Sequence, residues 1–539
     1  MNPPRSAHDS VRTRLYPWIA LASALVWANA ARIPLIIHAS KHLDSDLAID
    51  GLVLQETTEG RLRWHYPGTP HVGIFAAFLS LPQAIVWGAN PQTLVSGGSI
   101  AFSLTIVAIF LTARSLCGDS AAIWSLVPLA FGSPGVVWLS GRITGGHLLA
   151  VAWHAAAFFF TRQTLARGGS IRSFFLGVWC GLGFYNDRMF LLSLIGICAA
   201  ATAAWIARGF SRSGAIAGLV FLLGFAIGDS PRELGDRIDP YDAYPGQFQT
   251  IFDRAALSEH ARILTLDCIP RLVSGRDLRT FAEHPKIDEV QGVRLFDKTA
   301  PIDALDVAGA CSCVLIFVFS CVSFLMESFR RRSDVSAVAT IAGVTIASIA
   351  AAGAFLVNRN IFGSDNYRYL VFLIVPYAIG FGIIGSRLWR RGLWGRIVLG
   401  KACAIVLAAA FAIVSTLDLA RWYDRMGMLN TSTQSGSIDE VLQVDWDHVR
   451  GGRGARWIYG GYWDVYRLSF LLGGRVRGVP FPFYPDRFGD RERLLAREGE
   501  GALLVRPSTR EGSYFDRLAE SKGKKPIVRS RRFLIYEWP

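Results

Sequence analysis

Long apolar runs separated by short polar segments make up most of the chain before residue 420. A helix needs about 20 apolar residues to cross the hydrocarbon core of a bilayer, or somewhat fewer where the bilayer is thinned. One apolar run, 71–89, has Pro82 in its middle and prolines at its flanks. The pattern predicts a polytopic α-helical membrane protein with crossings at 15–37, 98–114, 120–138, 147–161, 174–186, 189–207, 213–228, 303–325, 335–357, 369–388 and 397–418.

Basic residues between the runs indicate whether 71–89 also crosses. If it does not, the arginines of residues 1–14 share one side with the later clusters at 162–173, 208–212, 330–332 and 387–396. Positive loops concentrate on the cytoplasmic side of membrane proteins. We therefore predict eleven transmembrane helices, a cytoplasmic N-terminus, and a juxtamembrane or re-entrant segment at 71–89. The outer side then receives a first loop at 38–97, a large loop at 229–302 and the C-terminal residues.

The residues after the last apolar run follow a different pattern. Strand-like and helix-like runs alternate there, which predicts a small α/β unit. The strand-like runs are 456–459, 476–479, 502–505 and 532–538, and the helix-like runs are 462–472, 491–498 and 514–521. The predicted organisation is therefore a membrane domain at 15–420 followed by an extracytoplasmic α/β domain at 421–539.

The composition agrees with a membrane protein, with 51% hydrophobic residues, 18% charged residues and a mean hydropathy of +0.32. Much of the formal net charge of +14 lies in short loops, so it does not indicate a nucleic-acid partner. The eight cysteines include no Cys-x-x-Cys pair and are interpreted as structural. The basic loops and the cysteine pattern favour the inner membrane of a bacterium.

Three aspartates, Asp44, Asp46 and Asp50, open the first predicted outer loop. Residues 47–59 carry apolar side chains largely on one stripe, which predicts an amphipathic helix in the membrane interface with Ser45 or Asp46 as its N-cap. Asp46 then has two interpretations, a helix cap or a general base whose partly dehydrated carboxylate is a strong proton acceptor. Asp44 and Asp46 also resemble a metal-binding Asp-x-Asp pair, but two carboxylates alone leave a divalent metal ion open.

Several short motifs resemble GT-C glycosyltransferases that use polyprenyl-phosphate sugars. The bacterial relatives concerned are lipopolysaccharide-core transferases, aminoarabinose–lipid A transferase and protein O-mannosyltransferases. Their first outer loop has an acidic helix start, a Glu-Gly pair and an aromatic-x-Gly-x-Pro tract before a juxtamembrane run, matched here by Asp46, 59–60, 66–70 and 71–89. Further matches are 138–147, 183–187 and 368–370.

The resemblance implies a GT-C-like fold, with Asp46 as the catalytic base and Asp44, Asp50 and Asp187 as accessory candidates. It also implies that the donor is bound by Tyr66, Arg142, His147 and Arg368. The chain departs from the family pattern at Leu47, because the residue after the leading acid is usually acidic too. This departure disfavours a mechanism that needs both carboxylates, although Asp50 lies one helical turn on from Asp46.

The basic candidate residues have a chemical reason to bind phosphate, and each also has an alternative interpretation. An arginine presents a planar fork of donors that matches a phosphate group. As alternatives, Arg142 and Arg368 act as interfacial anchors, His147 begins a helix, and Asp187 pairs with Arg188.

The sequence therefore predicts inverting transfer of a sugar from a polyprenyl-phosphate donor to a glycolipid, polysaccharide or protein acceptor at the outer face. One alternative is a non-enzymatic transporter or flippase of a polyprenyl-linked lipid, and another is a degenerate transferase kept as a partner subunit. The lack of an internal repeat and the clustering of polar residues on one face favour the enzyme over the transporter. No phosphate-binding Gly-x-x-x-x-Gly-Lys-Ser motif is present, which disfavours an ATP-driven pump.

Overall fold

The computed structural model describes residues 7–69, 72–143, 147–238, 249–273, 304–361, 363–391, 396–429 and most of 441–538. Within these ranges the chain up to residue 429 is almost entirely helical, and the named strands lie after residue 456. Much of the predicted outer loop at 229–302 lies outside the described residues.

The helices of this first part are Ala7–Ala30, Ile33–Ile37, Ser45–Thr58, Phe75–Phe78, Leu81–Trp87, Pro91–Cys117, Asp119–Ala130, Pro134–Ser140, His147–Arg167, Ser170–Asn186, Leu191–Arg208, Arg212–Ile238, Arg254–Arg262, Ile269–Val273, Ala304–Arg330, Val335–Val357, Ile374–Arg391 and Ile397–Arg425. Shorter 3-10 segments lie at Ala39–Lys41, Arg188–Phe190 and Ser364–Leu373, and a π-helical turn lies at Ile263–Cys268.

Eight segments of the described residues are helical, long and apolar enough to cross a membrane: Leu15–Ile37, Pro91–Cys117, Arg188–Arg208, Arg212–Ile238, Cys311–Arg330, Val335–Val357, Asn366–Arg390 and Ile397–Asp424. The pair Asp119–Ala130 and Pro134–Ser140 meets at an 83° bend and makes a ninth if it is one broken span. The predicted number of eleven is therefore not confirmed. The other two predicted crossings correspond to His147–Arg167, which is less apolar because it contains two histidines and Arg162, and to Ser170–Asn186, which has only 17 residues.

The apolar run 71–89 contains two short helices, Phe75–Phe78 and Leu81–Trp87. Pro82 lies in the first turn of the second helix, where its missing N–H is tolerated. Neither helix is long enough to cross a bilayer, as expected for a juxtamembrane or re-entrant segment.

Glycines let the short helix Ser170–Asn186 pack closely against the long helix Arg212–Ile238. A Cβ added to Gly177 would lie 2.1 Å from the carbonyl oxygen of Phe221, so the two backbones leave no room for a side chain there. Small residues four apart on facing helices are typical of close packing in membranes. Four glycines have this arrangement, two on each helix: Gly177, Gly181, Gly224 and Gly228.

The C-terminal residues form a five-stranded sheet. The strands are β1 at Trp457–Gly460, β2 at Arg477–Pro480, β3 at Gly501–Val505, β4 at Val528–Arg529 and β5 at Leu534–Trp538. Their order in the sheet is β2-β1-β3-β5-β4. Strand β1 is parallel to β2 and β3, whereas β5 is antiparallel to β3 and β4. The helices of this part are Tyr462–Leu471, Arg491–Leu495 and Arg510–Ser521. The sheet and helices confirm the predicted small α/β unit, and β4 is an addition to it.

Strand β1 also joins this unit to the rest of the molecule. Side chains of neighbouring strand residues point to opposite faces of a sheet. Ile458 accordingly lies in the large hydrophobic core that is continuous with the membrane part, whereas Trp457 and Tyr459 lie in a separate core of the C-terminal unit. The two parts therefore share a core.

The helix Ser45–Thr58, here called the acidic helix, corrects two predictions. It is not amphipathic, because protein buries most of it and its apolar residues occur all round the helix: Leu47, Ala48, Ile49, Leu52, Val53 and Leu54. The helix Tyr462–Leu471, here called the docking helix, packs against it so closely that a Cβ on Gly51 would lie 2.5 Å from the ring of Phe470. The N-cap is Asp44, not Ser45 or Asp46.

Candidate active site

Asp44 caps the acidic helix and is 4% exposed. Its Oδ1 accepts a hydrogen bond from the backbone N–H of Leu47 at 2.8 Å, and its Oδ2 forms an ion pair with Arg142. The guanidinium of Arg142 also lies 5.2 Å from the ring centroid of Trp138. One oxygen of Asp44 thus caps the helix and the other pairs with Arg142. Asp46, in the first turn of the same helix, does not serve as its cap.

Asp46 lies in the first turn of the acidic helix, and its side chain is 23% exposed. Its Oδ1 accepts a hydrogen bond from the hydroxyl of Tyr462 at 2.6 Å, and Nη2 of Arg487 lies 3.9 Å from the same oxygen. Arg487 Nε in turn donates to the Tyr462 hydroxyl oxygen at 3.1 Å. Both partners belong to the C-terminal unit, so the two parts of the chain meet at this carboxylate.

Both partners keep their protons at neutral pH. Burial, followed by the charge of Asp46, raises the pKa of Tyr462 well above its ordinary value. Burial alone would lower the pKa of Arg487, but its interactions with Tyr462, Tyr66 and Asp46 outweigh burial and raise that pKa. Tyr462 is therefore a hydrogen-bond donor and Arg487 a cation beside Asp46.

Tyr66 links the acidic helix to the rest of the first outer loop. Its hydroxyl donates to the backbone carbonyl of Asp46 at 2.6 Å, and its backbone N–H donates to the carbonyl of Val72 at 2.9 Å. Val72 forms an isolated antiparallel bridge with Asp187. Burial raises the pKa of Tyr66 well above its ordinary value, and the charges of the nearby Asp50 and Asp46 raise it further.

A second group of candidates surrounds His147. Its Nδ1 lies 3.3 Å from Oδ2 of Asp187, whose Oδ1 accepts a hydrogen bond from the backbone N–H of Met189. The His147 ring meets the ring of Tyr369 edge-on, with 5.8 Å between the centroids. The guanidinium of Arg368 lies 5.2 Å from the Tyr369 centroid, and its Nη2 is 3.4 Å from the Tyr369 hydroxyl. The imidazole of His147 and the guanidinium of Arg368 are therefore grouped around Tyr369.

The contacts bring the candidates into two neighbouring groups. One contains Asp44, Asp46, Tyr66 and Arg142, and the other contains His147, Asp187 and Arg368. Val72 joins them, because its carbonyl accepts a hydrogen bond from the backbone N–H of Tyr66 and it forms a bridge with Asp187. Asp50 lies on the acidic helix near Tyr66, but it is only 3% exposed, so it is less accessible than Asp46. Residues 144–146 lie outside the described residues.

The sequence analysis did not place Tyr462 or Arg487 at the site. Tyr462 begins a predicted helix and Arg487 lies in a loop, and both are far from Asp46 along the chain. A local pattern cannot show a contact between residues that are 416 positions apart, as Asp46 and Tyr462 are. The packing of the docking helix on the acidic helix is what brings them together.

The carboxylates do not fit a metal site as they stand. Across the part of the chain that the structure describes, no group of three or more His, Cys, Asp or Glu side chains could hold a metal ion. Asp44 and Asp46 each face an arginine, whose charge disfavours a second cation. The described residues therefore form no metal site by themselves. The divalent metal ion that the Asp-x-Asp pair leaves open is not tested, and no step below depends on one.

The architecture and the site define an integral membrane protein with many helices, whose C-terminal α/β unit contacts an acidic helix of the first loop. No family model matches the chain, and no curated protein matches it significantly.

Several solved structures share its fold. ArnT from Cupriavidus metallidurans in the apo state superposes with a TM-score of 0.60 at 10% identity, over 96% of this chain and 98% of that one. The same protein bound to undecaprenyl phosphate gives 0.57 at 11% identity, over 96% and 98%. The oligosaccharyltransferase AglB from Archaeoglobus fulgidus, in complex with an inhibitory peptide and a dolichol-phosphate, gives 0.51 at 13% identity, over 92% and 70%. Both are membrane glycosyltransferases of the GT-C superfamily, so the GT-C-like fold implied by the sequence motifs is confirmed.

Proposed function

We propose that this chain is an inverting glycosyltransferase that moves a sugar from a polyprenyl-phosphate donor to an acceptor of the cell envelope. The observation that carries the proposal is Asp46, a partly exposed carboxylate that is spared from capping and lies where the acidic helix, the first loop and the C-terminal unit meet. The fold supports it, because structures with this fold include one bound to undecaprenyl phosphate and one bound to a dolichol-phosphate.

Asp46 is the proposed general base. A base must be accessible to the acceptor and hold a lone pair for its proton. Among the described contacts of Asp46, both the hydrogen bond and the arginine approach involve Oδ1, and the side chain keeps 23% of its surface exposed. This arrangement leaves Oδ2 as the proposed proton acceptor.

Arg142, His147 and Arg368 are the proposed donor-binding residues. Positive groups stabilise the charge that develops on a leaving phosphate, and this is commonly a large part of catalysis. Arg142 is already paired with Asp44, but a guanidinium has five N–H donors and can serve a carboxylate and a phosphate together. Tyr66, with its ring close to Asp46, is proposed to border the same space.

The proposed reaction is a single displacement. Asp46 takes the proton of an acceptor hydroxyl while the hydroxyl oxygen forms a bond to the anomeric carbon of the donor sugar. The bond between that carbon and the phosphate oxygen breaks, and its electron pair stays on the polyprenyl phosphate. Attack from the face opposite the leaving group inverts the configuration at the anomeric carbon.

The proposed setting is the outer face of a bacterial inner membrane, with the N-terminus in the cytoplasm. Nucleotide sugars are confined to the cytoplasm, so an outer site requires a lipid-linked donor. The acceptor is a glycolipid, a polysaccharide or a protein of the envelope.

The test is transfer of labelled sugar in proteoliposomes that contain polyprenyl-phosphate sugars and an extract of envelope acceptors. Loss of a general base lowers the rate by about 10²- to 10⁴-fold, so we expect Asp46→Asn to lose transfer on that scale. The control is Asp119→Asn, because Asp119 is 48% exposed and lies at the start of a different helix.

Three other results would change the proposal. If transfer is lost in Asp50→Asn but not in Asp46→Asn, the base is Asp50, one helical turn further along. Undiminished transfer in both variants would reject an aspartate base in this helix. Protein-dependent movement of the labelled carrier across the bilayer, without transfer by the wild type, would favour the flippase.

A further inference from the structure

Two side chains of the C-terminal unit reach the carboxylate of Asp46, as described above. We propose that Tyr462 and Arg487 are positioning residues, which orient the Asp46 carboxylate so that the C-terminal unit completes the active site. This inference rests on the proposed role of Asp46 as a base, and it assigns to the C-terminal unit a part in the chemistry.

Tyr462 is fixed in place by both of its ends. It is 4% exposed, its backbone carbonyl accepts a hydrogen bond from Ser45 Oγ at 2.7 Å, and its hydroxyl donates to Asp46 Oδ1 at 2.6 Å. The two residues that Tyr462 contacts in this way, Ser45 and Asp46, are adjacent in the acidic helix. Tyr462 therefore sets the orientation of the Asp46 carboxylate relative to its own helix turn.

Arg487 is held by contacts from both parts of the chain. Its backbone N–H donates to the hydroxyl of Tyr466 at 2.8 Å, and its Nε donates to the Tyr462 hydroxyl oxygen at 3.1 Å. It also approaches the first loop at Gly68, where an added Cβ would lie 2.8 Å from Arg487 Cδ and where the backbone has a φ of +68°. A side chain at Gly68 would therefore be strained by its backbone conformation and would crowd Arg487.

These contacts form a short chain of donors that ends on a carboxylate. Arg487 Nε–H polarises the Tyr462 hydroxyl, whose O–H points to Asp46, and the guanidinium adds its charge from 3.9 Å. The other titratable groups on this side are Tyr66, whose hydroxyl bonds the Asp46 backbone, and Asp50 one turn along. Donors to the charged form of a carboxyl favour that form. Both contacts are of this kind, so the pH dependence of the reaction is the readout that removal of either donor should change.

The first experiment is the pH dependence of kcat/KM for Tyr462→Phe and Arg487→Gln in the transfer assay. A hydrogen bond to a charged group is worth enough to move a titration by about one pH unit. We expect the acid limb of the kcat/KM profile to move to higher pH by about that amount in Tyr462→Phe. In Arg487→Gln it should move in the same direction. The matched control is Tyr459→Phe, because Tyr459 is a buried tyrosine of the same unit that lies in its separate core.

The position of the limb does not depend on how much protein is folded, so a poorly folding variant still gives an answer. A lower plateau with an unchanged limb would overturn the proposal and leave Tyr462 and Arg487 as structural contacts only. A shift of the same size in Tyr459→Phe would overturn it as well, because the effect would then not be specific to Asp46.

The second experiment does not require transfer activity. Carbodiimides modify protonated carboxyl groups, so the labelling of Asp46 as a function of pH, measured by peptide mass spectrometry, follows its protonation. We expect the midpoint of labelling to rise by about one pH unit in Tyr462→Phe. An unchanged midpoint would overturn the positioning role. A shifted midpoint together with an absence of transfer by the wild type would uphold the contact but reject the proposed transferase.

Discussion

Glu56 joins the acidic helix to the C-terminal unit through a charge cluster that can be tested by one substitution. Its side chain is 6% exposed, and it lies between Arg63 of the first loop, with Nε 2.5 Å from Oε2, and Arg477 of β2, with Nη2 3.0 Å from Oε1. The change Glu56→Gln keeps the shape of the side chain but removes the charge that both arginines share. It therefore weakens the docking of the C-terminal unit without creating a cavity.

The size of the effect follows from the burial of the three side chains. Removing one partner of a buried ion pair costs about 3–5 kcal/mol, because the other partner is left uncompensated. Arg63 and Arg477 keep 23% and 28% of their side-chain surface exposed, so water solvates them in part. We therefore expect a loss of about 2–3 kcal/mol, which makes local opening about 30- to 140-fold more frequent.

Hydrogen exchange of backbone amides measures this opening directly, because protection reports the free energy of local unfolding. In Glu56→Gln we expect faster exchange in the acidic helix and the docking helix, and unchanged exchange in Val335–Val357, a helix of the membrane part. The matched control is Glu59→Gln, since Glu59 and its partner Arg61 are 56% and 60% exposed. Equal protection in Glu56→Gln and Glu59→Gln would refute the reasoning.

The same cluster predicts how stability depends on pH. Burial alone would raise the pKa of Glu56, but its hydrogen bonds and charge interactions with Arg63 and Arg477 outweigh burial and lower it below the ordinary value of 4.5. A lowered pKa contributes stability that is complete above the ordinary value and is lost as the pH falls through the folded-state value. The thermal midpoint of the wild type should therefore exceed that of Glu56→Gln at pH 7, and the difference should shrink below about pH 4.5. A difference that grows on acidification would contradict this sign.

Two further substitutions test the packing of the C-terminal unit. Gly51→Ala places a Cβ 2.5 Å from ring atoms of Phe470, and such overpacking costs about 1–3 kcal/mol, so exchange in the docking helix should rise and transfer should fall. Unchanged exchange would show that the two helices separate freely. Arg506→Gln leaves Asp464 buried without the two 2.8 Å bonds that it now accepts, which should destabilise the unit by about 3–5 kcal/mol in thermal unfolding. The exposed Arg262→Gln is the control, and equal midpoints in the two variants would contradict the prediction.

The elements that rest on local pattern were predictable from the sequence. The predicted strand at 502–505 is observed at Gly501–Val505, and the predicted helix at 462–472 is observed at Tyr462–Leu471, because alternation and turn residues are properties of neighbouring positions. The distribution of basic loops predicts that 71–89 does not cross, and the run contains two short helices, the second with Pro82 in its first turn.

What depends on packing was not predictable in the same way. The sequence predicts an amphipathic acidic helix, but a sequence pattern does not show that protein packs around most of the helix, as it does here. The cap was assigned to Ser45 or Asp46, although Asp44 takes it, since three capping residues in a row leave the boundary uncertain by one or two positions. The partners of Asp46 come from the far end of the chain, so only the folded molecule shows them.

The pairing of the candidate site residues also depends on packing and not on local sequence pattern. The sequence motifs named Arg142 and His147 as donor-binding residues, and nothing in their spacing indicated that one would pair with Asp44 and the other would approach Asp187. These two acidic partners belong to different loops that meet only through the fold. The positions of the charged residues were thus available from the sequence, but their partners were not.

The measurement that tests the central claim most directly is the stoichiometry of a single reaction in proteoliposomes. With a doubly labelled polyprenyl-phosphate sugar, the wild type should release one polyprenyl phosphate for each sugar joined to the acceptor, with inversion at the anomeric carbon. In Asp46→Asn the formation of both products should fall by about 10²- to 10⁴-fold. Carrier that crosses the bilayer with its sugar still attached, or a product of retained configuration, would contradict a single displacement with Asp46 as its base.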